Sequence, residues 1–210
     1  MSLKIKKRKA VAPLAAATYI GICVGVIDLG TQYNEKFKKY TPKVMLIWEI
    51  PSETVEVDGE QKPRWQSKEY NATLNEKGNL AKDLTSWRGK SLTQEESEEG
   101  LDLQMMLGRC AMLSITVEEK DSGTYNRIGG IMGLPASVPQ PTTESELLSF
   151  DMDEWDDKVL EALPDWIREK IMRSSEYQEK HAPTDAVDFP EEPSDAAQSE
   201  LAEAEEEVPF

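Results

Sequence analysis

The sequence predicts a mainly β chain: five strands with a helical insertion between the third and fourth, followed by an acidic helical extension and a disordered acidic tail. Three observations predict it. Alternating apolar residues recur in five segments before residue 140, and glycine-containing turn signals, Asp58-Gly59 and Asp121-Ser122-Gly123, separate two pairs of them. Charge is also segregated: residues 1–140 hold 19 Lys and Arg against 18 Asp and Glu, and residues 141–210 hold 5 against 22, within a net charge of -16.

The first segment, Thr18 to Leu29, places Ile20, Ile22, Val24 and Val26 on one face of a long strand, with Gly21 and Gly25 opposite, where the strand can bend sharply. Lys43 to Ile50 alternates around Val44, Leu46, Trp48 and Ile50 and leads through Asp58-Gly59 into Arg64 to Leu74, which reads as a hairpin. Leu80, Leu84 and Trp87 fall at helical spacing, with Asn79 as the cap and Gly89 as the stop, and a second short helix over 101–107 ends at Gly108. Cys110 to Val117 and Thr124 to Leu134 form the last hairpin. Trp48 and Trp87 fall on the apolar periodicity of their own elements and are assigned to the core. Three strands, a helix and two strands is the order of an OB-fold, a five-stranded Greek-key barrel whose exposed face and loops commonly bind oligonucleotides.

The domain organisation follows: a flexible basic N-terminus over 1–15, the barrel over 16–140, an acidic helical extension over 141–181 and a disordered tail over 182–210. In the extension, Leu147, Phe150, Trp155, Val159, Leu160, Leu163, Trp166, Ile167 and Ile171 recur at near-helical intervals, and Pro164 divides the segment into two helices that dock on the barrel. From Ala182 the chain has 10 acids, no Lys or Arg, and four prolines, a composition that cannot bury enough apolar surface to order itself.

Whole-chain acidity argues against nucleic acid, yet residues 1–92 carry 16 basic against 10 acidic residues, and a polyanion is bound by local cations rather than by average charge. Proteins that hold single strands combine cations tracking phosphates with flat rings on which bases stack. Tyr33, Lys36, Phe37, Lys38, Lys39 and Tyr40 have that interleaving, and so do Arg64, Trp65, Lys68 and Tyr70. In the second set Trp65 lies on the opposite strand face from the other three, so only one face lines a groove, and Trp65 or Tyr70 either stacks on bases or packs in the core. Lys43, Arg88, Lys90 and Tyr125 complete the candidate contacts, with the role of Tyr125 left open between contact and packing.

Trp87-Arg88-Gly89-Lys90, Leu103-x-x-Met106-Leu107-Gly108-Arg109-Cys110 and Tyr125-x-x-Ile128, in that order, resemble motifs of phage single-stranded DNA-binding proteins with an OB-fold, over roughly residues 15 to 180. The last six residues, Glu205-Glu206-Glu207-Val208-Pro209-Phe210, separately resemble the acidic tip of bacterial and phage single-stranded DNA-binding proteins. The resemblance implies a cytoplasmic protein that coats single-stranded DNA in phage replication, recombination and repair. It also implies that Phe210 and the acids before it recruit a polymerase, helicase or nuclease and compete with DNA for the basic groove.

Other chemistries find less to work with. Gly89-Lys90-Ser91 matches the end of a phosphate-binding loop, but Leu84 stands where that loop needs glycine. Glu60 and Lys62 have the Glu-x-Lys spacing of some metal-dependent nucleases, in a hairpin turn without supporting carboxylates. Trp155 interrupts the carboxylates of 151–157 that could suggest calcium, and a single histidine, His181, leaves little for zinc or for a catalytic triad. No enzymatic activity, cofactor, metal or small-molecule substrate is therefore expected. No apolar run reaches the roughly 18 residues of a membrane span, and Cys23 and Cys110 read as reduced, packed thiols of a cytoplasmic protein. An acidic interaction adaptor whose tail mimics DNA is the alternative from another class.

Overall fold

In the computed structural model, residues 12–182 are described, apart from 36, 58, 122 and 144. The turn residues Asp58 and Ser122, the basic segment before Ala12 and the acidic tail after Ala182 lie outside the described residues.

Five antiparallel strands stand in the order β3-β2-β1-β4-β5: β1 Ala17–Asn34, β2 Lys39–Val57, β3 Glu60–Asn71, β4 Cys110–Lys120 and β5 Gly123–Gly133. A sixth, Leu148–Phe150 (β6), pairs in parallel with Gly25–Ile27 of β1. The strand β1 serves two neighbours in turn, β4 along Ala17–Ile22 and β2 along Ile22–Asn34, so the sheet coils around it. Helix α1 (Asn79–Arg88) packs against β3 and β5, the two edges of the sheet, whose backbones also approach one another. The sequence predicts Asn79 as the cap of this helix; Gly78 occupies that position without a side-chain bond and Asn79 is the first helical residue. Gly89 ends it in a left-handed conformation at φ 68°, as the sequence predicts. The second predicted helix is one 3-10 turn, Leu103–Met106, preceded by α2 (Gln94–Glu98), whose Thr93 and Glu96 form a capping box.

The sheet is buried on both faces along β1 and the middle of β2. The inner core gathers Cys23, Val26, Leu46, Trp48, Leu84, Trp87, Leu113 and Ile131, with the Trp48 and Trp87 rings 5.7 Å apart. The outer core gathers Ile22, Val24, Ile27, Leu29, Met45 and Ile47 against Phe150, Leu163, Ile167 and Ile171. This corrects the single apolar face predicted for β1. A bulge between Cys23 and Gly25 reverses the alternation, so that Ile22 and Val24 face outward while Val26 faces inward. Gly21 is required by close packing, because a Cβ there would lie 2.5 Å from Leu113 Cδ1.

The extension docks through three short helices, α3 Asp157–Ala162, α4 Asp165–Ile171 and α5 Ser175–Lys180, with Pro164 before α4 where the sequence predicts the break. Two polar clasps complement the apolar contact. Thr143 Oγ1 donates to the buried Glu49 carboxylate at 2.9 Å, and Ser145 Oγ donates to the same oxygen. On the other side, Glu176 accepts from the Thr31 N–H at 2.8 Å and from Thr31 Oγ1 at 2.7 Å. Burial acts to raise the Glu176 carboxyl, but the two Thr31 bonds outweigh it and hold the group below the usual carboxylate range. A carboxylate depressed in this way stabilises the fold above its unfolded pKa and loses that contribution as pH falls through its folded value. Glu176→Gln is therefore expected to cost about 1 kcal/mol at neutral pH. In urea unfolding the difference from the parent should vanish once the medium is acid enough to protonate Glu176.

Candidate nucleic-acid interface

The site starts from the hairpin that joins β1 to β2. Tyr33 stands opposite Tyr40 and Asn34 opposite Lys39, and the turn closes with Lys38 at φ 53°, a left-handed conformation uncommon for a side-chain-bearing residue. Asn34 Oδ1 accepts from the Phe37 N–H at 3.3 Å, fixing the turn in the way short polar side chains do. Tyr33, Phe37 and Tyr40 are 49%, 62% and 65% exposed, and the two tyrosine rings lie 5.1 Å apart at 54°. Three large rings stand on one exposed tip with Lys38 and Lys39 exposed between them, the combination of flat rings and cations that base stacking requires. Lys36, predicted in the same set, lies outside the described residues.

Beside the tip, a cleft of about 220 Å³ runs between the hairpin, β3 and α4, and Tyr33, Asn34, Lys43, Glu69, Lys170 and Arg173 line it. Lys43 Nζ donates to Asn71 Oδ1 at 2.6 Å, and Lys170 pairs with Glu69. Arg173 reaches Glu169 only at 4.0 Å, with both side chains well exposed, so that pair is weak and the guanidinium can turn to another anion. The Gln32 amide donates to the carbonyls of Leu29 and Lys170 at 2.6 and 3.0 Å, which ties the C-terminal end of α4 to β1 and holds its cations at the cleft. The sequence reading missed Lys170 and Arg173 because it weighed the extension by its net acidity. Their signal was position: Lys170 lies in the last turn of α4 and Arg173 just beyond it, where cations face the carbonyl end of the helix dipole.

The β3 set is placed differently from the prediction. Tyr70 is 3% exposed and packs in the inner core, its hydroxyl donating to Asp83 Oδ2 at 2.8 Å; burial, with Asp83 beside it, pushes the phenol well above its ordinary range. Lys68 shares that partner in a 2.6 Å ion pair, and Arg64 donates to the Ala12 carbonyl at 2.6 Å and to Asn126 Oδ1 at 3.3 Å. Asn126 in turn holds Leu14 through both its N–H and its carbonyl. Arg64, Lys68 and Tyr70 thus belong to the inner face of the sheet and to the seam between β3 and β5. Trp65, on the other face, packs against the outer core beneath the extension. Of the two alternatives for Trp65 and Tyr70, both rings follow packing, and this strand offers no open row of rings.

The remaining predicted contacts are dispersed. Arg88 is nearly buried and pairs with Glu96, while Lys90 is exposed just beyond α1. Tyr125 is exposed on the β4–β5 hairpin with Lys120 Nζ 5.9 Å from its ring, beside Glu118 and Arg127. That hairpin extends beyond the start of β1, whereas the cationic tip lies at its end, so Tyr125 does not join the rings there. Glu205, Glu206, Glu207, Val208, Pro209 and Phe210 lie outside the described residues.

No group of three or more His, Cys, Asp or Glu among the described residues could hold a metal ion, and Glu60 and Lys62 are exposed and pair with one another at 3.5 Å. Both thiols are free, and burial pushes Cys23 up to about 12, which makes it an inert packing residue. Among the described residues no helix is long and apolar enough to cross a membrane. Against known protein families and characterised proteins, no family model and no curated sequence matches this chain.

Proposed function

We propose that this protein binds single-stranded DNA, without catalysis, through the β1–β2 hairpin of an OB-type Greek-key barrel. The reading places it in the coating of single strands during phage replication, recombination and repair, with the acidic tail recruiting partner enzymes. The observation that carries it is the hairpin tip, where Tyr33, Phe37 and Tyr40 stand exposed among Lys38 and Lys39. The strand order supports it, because β3-β2-β1-β4-β5 is the path of an OB barrel and the loop between strands 1 and 2 is one of those such barrels use for oligonucleotides. The extension packs over Met45 and Ile47 of β2 and partly over Trp65 of β3, and this reading takes the bound strand to the tip and to the cleft beside it.

Stacking on the tip and phosphate contacts in the cleft separate experimentally. Removing a cation that neutralises a phosphate lowers the salt dependence of binding by about 0.7 per contact on a single strand. Lys170→Ala with Arg173→Ala is therefore expected to reduce the slope of log K against log salt by about 1.4 in fluorescence anisotropy with labelled oligothymidine. An unchanged slope, with the double variant folded, would remove α4 from the interface. Absence of oligothymidine binding by the parent at low salt would overturn the proposed function itself.

A further inference from the structure

A cavity of about 700 Å³ opens at the mouth of the barrel where β1 leaves the inner core, and its chemistry is opposite to that of the tip. Its floor is apolar, from Val26, Val44, Leu80 and Phe150, with Leu74 and Leu101 at the sides. Seven carboxylate residues line it and no Lys or Arg does. Asp28 and Glu176 lie on the β1 side, Glu98, Glu99 and Asp102 on the insertion after α1, and Asp151 and Asp153 after β6. A phosphate backbone is repelled there; an extended peptide that alternates apolar and cationic residues is complementary to both floor and rim.

This chain carries such a peptide. Leu3-Lys4-Ile5-Lys6-Lys7-Arg8-Lys9 has five cations in six consecutive positions, with Leu3 and Ile5 spaced to face one way when extended. It precedes Ala12 and Leu14, which are pinned at the β3–β5 seam by Arg64 and Asn126. The mouth lies at the far end of β3, at Ala72 to Leu74, about 26 Å along the strand from Arg64 at roughly 3.3 Å per residue. At no more than about 3.6 Å per residue, Lys6 to Lys9 stay within about 22 Å of Ala12 and fall short of their own mouth, and only Leu3 and Lys4 could reach it, so the whole segment cannot dock within its own chain.

We infer that the acidic mouth of the barrel receives the basic N-terminal segment, residues 3–9, of a second copy of the chain. The contact is heterologous, a segment of one copy on a cavity of the next, and such contacts propagate into open arrays rather than closed dimers. The inference stands apart from the nucleic-acid reading and is tested without DNA.

Sedimentation velocity on the full chain at low salt is expected to show concentration-dependent association that moderate salt weakens. Reversing the segment (Lys6→Glu, Lys7→Glu, Arg8→Glu) or the rim (Glu98→Lys, Glu99→Lys, both exposed) should each raise the dissociation constant about tenfold or more, since several ion pairs are lost together. Mixing the two variants should restore pairing and stop at dimers, because one keeps its cavity and the other its segment. If the rim reversal impairs folding by thermal melting, Glu98→Gln with Glu99→Gln takes its place. A parent that stays monomeric at low salt would overturn the inference. So would association that survives rim substitution, as it would if the segment bound the acidic residues after 182 instead.

Discussion

Replacing Tyr33, Phe37 and Tyr40 together by alanine is expected to weaken oligothymidine binding by at least 100-fold while leaving the thermal midpoint of the protein almost unchanged. Both halves of that result follow from exposure. Each base stacked on a ring contributes about 1–3 kcal/mol, so loss of three rings removes about 3 kcal/mol or more, equivalent to roughly 150-fold in affinity. The same rings are 49% to 65% exposed at a hairpin tip and contribute little to either core. Tyr70→Phe makes a useful contrast. Its hydroxyl is tied to Asp83 on the inner side of the sheet, so the substitution should lower stability by about 1 kcal/mol, the usual value of a buried hydrogen bond, with binding unaffected. Anisotropy and thermal melting on the same preparations read both quantities, and a triple variant that binds as well as the parent would take the rings out of the interface.

Truncating Ile167 to alanine is expected to destabilise the protein by about 2–5 kcal/mol, the range for deleting a large buried aliphatic side chain. Ile167 is fully buried between α4 and the outer face of β1 and β2, with Leu163 and Ile171 as its neighbours in the outer core. The cost should fall first on the extension. Amide exchange over α3 to α5 is expected to accelerate more than exchange in β4 and β5, because those helices are held to the sheet by side-chain packing and a few polar ties whereas β4 is laddered on both sides. Loosening α4 would also release Lys170 and Arg173 from the cleft, so salt-dependent oligothymidine binding should weaken in the same variant. Equal acceleration across the whole chain would show that extension and sheet unfold as one unit.

Much of the fold was legible because local signals agreed with the tertiary arrangement. The five strands, α1 and its stop at Gly89, the burial of Trp48 and Trp87, and the break at Pro164 all follow from periodicity and from backbone chemistry at glycine and proline. What was not legible follows from burial on both faces. Strand β1 contributes to two cores, so its sequence is nearly continuously apolar and does not reveal the bulge at Cys23 to Gly25 that exchanges its faces. The same ambiguity hid which face of β3 meets solvent. Arg64, Lys68 and Tyr70 read as an open basic-aromatic row, and only the pairing of Lys68 and Tyr70 with Asp83 of α1 turns that row inward. Strand β6 has three residues and pairs far away in sequence, below the length at which alternation carries information.

The site was half legible for a related reason. Interleaved rings and lysines mark the β1–β2 tip directly, whereas Lys170 and Arg173 come from a segment whose net charge has the wrong sign and reach the cleft only because α4 docks beside Gln32. The carboxylates around the acidic cavity come from four separate stretches of chain, and no local pattern announces that they converge.

The most direct measurement is displacement of labelled oligothymidine from the full-length protein by unlabelled single-stranded and duplex DNA at low and moderate salt. Stacking on Tyr33, Phe37 and Tyr40 requires unpaired bases, so single strand should displace the probe at far lower concentration than duplex of equal length, and salt should weaken binding without erasing that preference. Equal displacement by duplex, or no oligothymidine binding even at low salt, would contradict a single-strand interface at the hairpin tip.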